Sequence, residues 1–154
     1  MSDNIKHECG IALIRLLKPI EYYIGKYGTF TYGINKLYLL MEKQHNRGQD
    51  GAGVASIKLN MKPGIPYINR LHSNSDSPIK DIFSNIYSSI KQKYSEKTSL
   101  LNDTEWLKEN IPFSGELLLG HLRYGTYGNN DIERCHPLIR SNNWMTKNLV
   151  IAGN

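Results

Sequence analysis

The stretch His7-Glu8-Cys9-Gly10-Ile11-Ala12-Leu13-Ile14-Arg15-Leu16-Leu17 decides how the rest of the chain is read. A short polar leader gives way to a Cys-Gly pair, and the pair opens an apolar run. Ile11, Leu13, Ile14, Leu16 and Leu17 crowd together, which predicts a buried strand over 10–17. A cysteine at the mouth of such a strand has two readings. It is a small apolar core residue, or it is a nucleophile. The second needs a base, and a cysteine exposed as the first residue of a matured chain carries one in its own α-amino group. Free α-amino groups titrate at about 7.7–8.0 and free thiols at about 8.5, so the two are well matched for proton exchange.

Outward from that run, a Tyr/Gly-rich connection is expected over 21–33. Ile34, Leu37, Tyr38 and Met41 recur at helical spacing and predict a helix over 34–44. A polar glycine-bearing loop follows at 45–51, then a second strand over 52–59. Residues 60–78 read as loop, with Pro63-Gly64, Pro66 and a Ser/Asn/Asp cluster. Ser77-Pro78 is a helix start. Ile79, Ile82, Phe83, Ile86, Tyr87, Ile90 and Tyr94 mark one face of that helix as core, and 91–97 reads as a solvated face. A helical piece is expected over 103–109, and strands over 116–124 and 148–153. Strands and helices do not alternate in βαβ order, which predicts an α+β fold with a largely antiparallel sheet. Leu149-Val150-Ile151-Ala152 has a core-strand composition close to Asn154, so a fragment of a longer protein is expected.

With 154 residues the chain is one domain's worth. Its net charge of +5 comes from scattered lysines, with no run of five like charges, so no nucleic-acid partner is expected. No apolar stretch is long enough to span a bilayer, so no membrane partner is expected either. The leader has no apolar segment of a secretory signal. Two cysteines, Cys9 and Cys135, make no disulfide framework, and a cytoplasmic setting is expected.

Three polar, glycine-bearing segments each abut a strand: Glu8-Cys9-Gly10, His45 to Gly53, and Gly120-His121-Leu122-Arg123-Tyr124-Gly125-Thr126-Tyr127-Gly128. Ala152-Gly153-Asn154 is a fourth. Glycine lets backbone approach a ligand closely, and an arginine beside it suits a carboxylate through its bidentate fork. Cys9-Gly10-Ile11, Gln44-His45-Asn46-Arg47-Gly48-Gln49-Asp50-Gly51-Ala52-Gly53 and Gly120 to Thr126 together resemble the class II glutamine amidotransferases, which are amino-terminal nucleophile (Ntn) hydrolases. Within them, Arg47-Gly48-Gln49-Asp50, and Tyr124 after Arg123, are most similar to the amidophosphoribosyltransferase branch. The resemblance runs from Cys9 to Asn154 except between Leu59 and Pro112. One departure is Asn46, which separates His45 from Arg47 where the family joins them.

The resemblance implies a four-layer αββα sandwich truncated at its C-terminal side, with residues 1–8 a propeptide and 9–154 part of a glutamine amidotransferase domain. It implies that Cys9 attacks the side-chain amide of glutamine, giving a γ-glutamyl thioester and ammonia, and that water then releases glutamate. Arg123 would clamp the substrate α-carboxylate, with Thr126 beside it and Arg47 either touching substrate or bracing its loop. Asn154 would donate to the oxyanion. No cofactor is implied in this segment. Magnesium would belong to the phosphoribosyltransferase domain beyond Asn154, and the full-length parent would be a homo-oligomer. The chain alone is expected to show little activity. Two alternatives stay open: the glutaminase half of another class II amidotransferase, and a non-catalytic fragment or pseudoenzyme acting as a binding module.

Other residues carry plainer readings. His121, inside an apolar strand, reads as a structural histidine, and Arg123 has a strand-pairing alternative. Gly48, Gly51 and Gly53 read as turn residues, and Cys135 is given no chemistry. His7, Cys9, Cys135 and His136 are too tightly spaced for a usual zinc site, so no metal is expected.

Overall fold

The computed structural model describes residues 8–96, 103–125 and 131–153. It is an α+β protein. Strands β1 (Gly10–Arg15), β2 (Gly51–Ile57), β3 (Ile68–Ser73) and β4 (Leu117–Arg123) form one antiparallel sheet in the order β1-β4-β2-β3. Helices α1 (Ile20–Tyr27), α2 (Tyr32–Lys43), α3 (Pro78–Glu96) and α4 (Thr104–Asn110) complete the main body. Two short strands, β5 (Leu138–Arg140) and β6 (Leu149–Ile151), pair with each other. No helix among the described residues is long and apolar enough to cross a membrane.

The period of two along each strand sorts the sheet into two faces. Ala12, Gly120, Val54 and Leu71 are neighbours across the strands on one face. Helices α2 and α3 cover that face with Ile34, Leu37, Met41, Ile82, Phe83 and Ile86, all buried. The predicted stripe on α3 is therefore core. Its one departure is Tyr87, which is exposed and donates its hydroxyl to Asn35 Oδ1 at 2.7 Å. Tyr94's side chain lies outside the described residues. The opposite face carries Ile11, His121, Gly53 and His72 in one row. Here Leu13 stays 61% exposed.

Two segments expected to be irregular are ordered. The 21–33 connection holds α1, which buries Ile20 and Tyr23 and stacks Tyr23 and Tyr27 on Tyr32, with ring centroids 5.0 and 4.4 Å apart. Its aromatic packing, not an aliphatic stripe, hides its period from the sequence. The 60–78 loop holds β3, an edge strand whose Asn69, Arg70 and His72 mask the alternation. Asp103 caps α4 by accepting the Trp106 N–H at 3.0 Å.

At the end of the sheet where β4 begins, Glu116 is buried and accepts from Lys108 Nζ at 2.6 Å and from the Leu59 N–H at 2.8 Å. Lys108 also donates to the Leu59 carbonyl, and Lys58 Nζ donates to the Lys108 carbonyl at 2.6 Å. Burial pushes Lys58 down to about 8, and the nearby Lys108 cation adds to this while Glu116 opposes it. Glu116→Gln keeps an acceptor for Leu59 but leaves two nearly buried ammonium groups without their counter-charge. It is expected to cost about 2 kcal/mol in urea denaturation, less than a fully buried pair would because Lys108 keeps some solvent contact. A loss below about 0.5 kcal/mol would show that solvent already screens the pair.

Candidate active site

The three glycine-bearing motifs meet at the opposite end of the sheet. Cys9 immediately precedes β1, Arg123 ends β4 and Gly51 begins β2. Gly10 faces Leu122, and Gly51 faces Arg123, so β4 runs between the two other motifs. The Tyr124 N–H donates to Cys9 Sγ at 3.4 Å, and the thiol sits 4.0 Å from the Tyr124 carbonyl oxygen. Cys9 is half-buried and unbridged.

The second motif lies directly on the backbone of the third. The Asp50 N–H donates to the Arg123 carbonyl at 3.1 Å, and the Gly125 N–H donates to Asp50 Oδ2 at 2.7 Å. A Cβ on Gly48 would stand 2.6 Å from both the carbonyl carbon and oxygen of Arg123. Only glycine permits that approach.

Arg123 is buried, and its Nη1 donates to the Asp131 carbonyl at 3.2 Å. Its guanidinium also lies against the Cys135 thiol. Cys135 is fully buried over Gly51, 2.6 Å from where a Cβ there would stand. Burial pushes the Cys135 thiol up, and Arg123 partly offsets this. The sequence gives no hint of that contact, because Cys135 joins through tertiary packing alone.

Arg47 ends a single 3₁₀ turn, His45–Arg47, and is exposed. Asn46 is the middle residue of that turn. His45 Nδ1 sits 2.8 Å from the Glu42 carbonyl oxygen, so this imidazole closes α2. The structure thus brings Cys9 to the residue after Arg123 and leaves Arg47 on the rim. Thr126 and Asn154 lie outside the described residues, as do His7 and the rest of 1–7.

Behind the site is a layer of three histidines. His121 is buried, and its Nε2–H donates to the Gly153 carbonyl at 3.0 Å. His136 Nδ1 reaches the same oxygen at 3.0 Å and the Gly153 nitrogen at 3.2 Å. His72 Nε2–H donates to the Pro137 carbonyl at 2.9 Å. Burial first, and His136 second, push His121 down to about 4, and burial also lowers His72. A proton on His121 Nδ1 would meet no protein acceptor among the described residues. Both histidines are therefore held neutral in the fold. Their depressed values favour folding fully above the unfolded value of about 6.5, and that contribution is lost as pH falls toward 4. Urea denaturation at pH 7 and pH 4.5 should differ by about 2 kcal/mol from this layer. His121→Gln should remove a large part of the difference, and a slope unchanged in that variant would contradict the assignment.

Among the described residues no group of three His, Cys, Asp or Glu could hold a metal ion. A cleft of about 590 Å³ lies at the Glu116 end. Several of its charged side chains pair with one another, Lys62 with Glu105 and Glu109 and Lys108 with Glu116. The thiol, the aimed amide and the buried arginine are all at the Cys9 end. No family model, curated protein or solved structure matches the chain.

Proposed function

We propose that this chain is the amino-terminal part of a glutaminase domain of the class II glutamine amidotransferase type, with Cys9 as its nucleophile. The particular enzyme proposed is an amidophosphoribosyltransferase, in which the released ammonia forms phosphoribosylamine for purine synthesis. One observation carries the reading. Three motifs spread over more than a hundred residues of sequence meet at one sheet end, where the third touches the Cys9 sulfur and the second lies on the backbone of the third. A helix layer on one sheet face, with apolar residues still exposed on the other, is compatible with half of an αββα sandwich.

The chemistry follows from the residues. After cleavage at Glu8–Cys9 the new α-amino group takes the thiol proton, and sulfur adds to the side-chain amide carbon of glutamine. The α-amino group then protonates the leaving nitrogen, and ammonia departs. Water attacks the thioester to free glutamate and restore the thiol. Arg123 pairs with the substrate α-carboxylate, and Asn154 donates to the oxyanion. Thr126 and Arg47 complete the substrate contacts. Magnesium and the acceptor substrate belong to a phosphoribosyltransferase domain of the same polypeptide, which assembles as a homo-oligomer in the cytoplasm. Two unbridged thiols suit that compartment.

The test is an assay of the polypeptide encoded by the complete gene. Glutamine-dependent formation of phosphoribosylamine is expected. Glutamate release coupled to a different acceptor would move the chain to another class II amidotransferase. No glutamate release at all would leave a binding module.

A further inference from the structure

The geometry points to Asp50 as a positioning residue that aims the Tyr124 N–H at the Cys9 sulfur, an inference that rests on Cys9 being the nucleophile. Asp50 grips the 123–125 backbone at two points. Its N–H holds the Arg123 carbonyl at 3.1 Å, and its Oδ2 holds the Gly125 N–H at 2.7 Å. Tyr124 is the residue between them, and its N–H meets Cys9 Sγ at 3.4 Å. The strand ends at Arg123, and the Asp50 side chain holds the Gly125 peptide two residues beyond that end.

The consequence is chemical. The Tyr124 peptide meets the sulfur through its N–H and its carbonyl, and so sets how Cys9 is presented to an electrophile. Asp50 acts on the sulfur through the Gly125 and Tyr124 peptides. Asp50 is exposed at the surface, so the grip is made without burying a charge.

Asp50→Ala removes the acceptor, whereas Asp50→Asn keeps one and removes only the charge. The readout is the rate of Cys9 alkylation by iodoacetamide at pH 7, followed on the Cys9 peptide by mass so that the buried Cys135 does not contribute. Asp50→Ala is expected to slow Cys9 alkylation by about threefold to tenfold, and Asp50→Asn to restore most of the rate. Equal rates for the two variants would overturn the inference. Should Asp50→Ala not fold, the unsubstituted chain still decides. Its exposed Gly125 amide should exchange with deuterium at least about tenfold more slowly than an unstructured glycine, and exchange at the unstructured rate would overturn the inference. Failure of the nucleophile reading is distinct. It appears as glutamine hydrolysis that survives Cys9→Ala, whatever the alkylation rates show.

Discussion

Cys9→Ala in the complete polypeptide is expected to abolish glutamate release from glutamine, lowering kcat by at least about a thousandfold. The reason is that a covalent route cannot be shared out. On the proposed route no thioester forms without the sulfur, and the proposed α-amino base and oxyanion donor have no bond to act on. Ammonia-dependent phosphoribosylamine formation should persist, because it bypasses Cys9. The side chain sits at the protein surface end of β1 and is half-buried, so its truncation leaves the fold nearly unchanged. Equal thermal midpoints for both proteins, with only the glutamine-dependent rate lost, is the expected pattern. Glutamate release within about threefold of the unsubstituted rate would remove Cys9 from the chemistry.

Gly53→Ala is expected to cost about 3 kcal/mol or more in stability and to loosen the site with it. Gly53 lies in the centre of β2, between His121 of β4 and His72 of β3. A Cβ there would overlap the carbonyl oxygen of His136 and stand 2.6 Å from His72 Cδ2. The first obstacle is backbone, so no side-chain rotation relieves it. The His136 segment must lift, and His136 carries the Gly153 contact while its neighbour Cys135 lies against Arg123. Urea denaturation should show the loss, and iodoacetamide should label Cys135 faster than in the unsubstituted chain. A stability change below about 1 kcal/mol would mean that the β5–β6 side is not packed on Gly53 as described.

Much of the fold was legible because its signals are local. The aliphatic stripe of α3, the Ile34-Leu37-Met41 spacing of α2 and the closely set leucines of β4 each report a period that burial imposes. Helix α1 and strand β3 were not legible. Tyrosines pack α1 through ring stacking, and β3 is an edge strand with polar residues on its open positions. The short β5–β6 pair has too few residues to show any period.

The site was legible in its side chains and not in its backbone. Cys9 and Arg123 could be singled out because a thiol and a guanidinium have recognisable chemistry. The Tyr124 N–H could not, since every non-proline residue carries one and it meets the sulfur only through the register of β1 on β4 and the Asp50 contacts beside it. Gly48 and Gly53 read as turn residues in the sequence. Both instead admit close backbone neighbours, the Arg123 carbonyl over Gly48 and the His136 carbonyl over Gly53.

The central claim is that Cys9, once freed from its leader, is a nucleophile toward glutamine. The most direct measurement is peptide mass spectrometry of the complete polypeptide after treatment with a diazoketone analogue of glutamine, which alkylates an attacking thiol with loss of dinitrogen. The glutaminase reading predicts a chain that begins at Cys9, with the analogue on its sulfur and with protection by excess glutamine. An unlabelled Cys9, or labelling that glutamine does not compete, would contradict it.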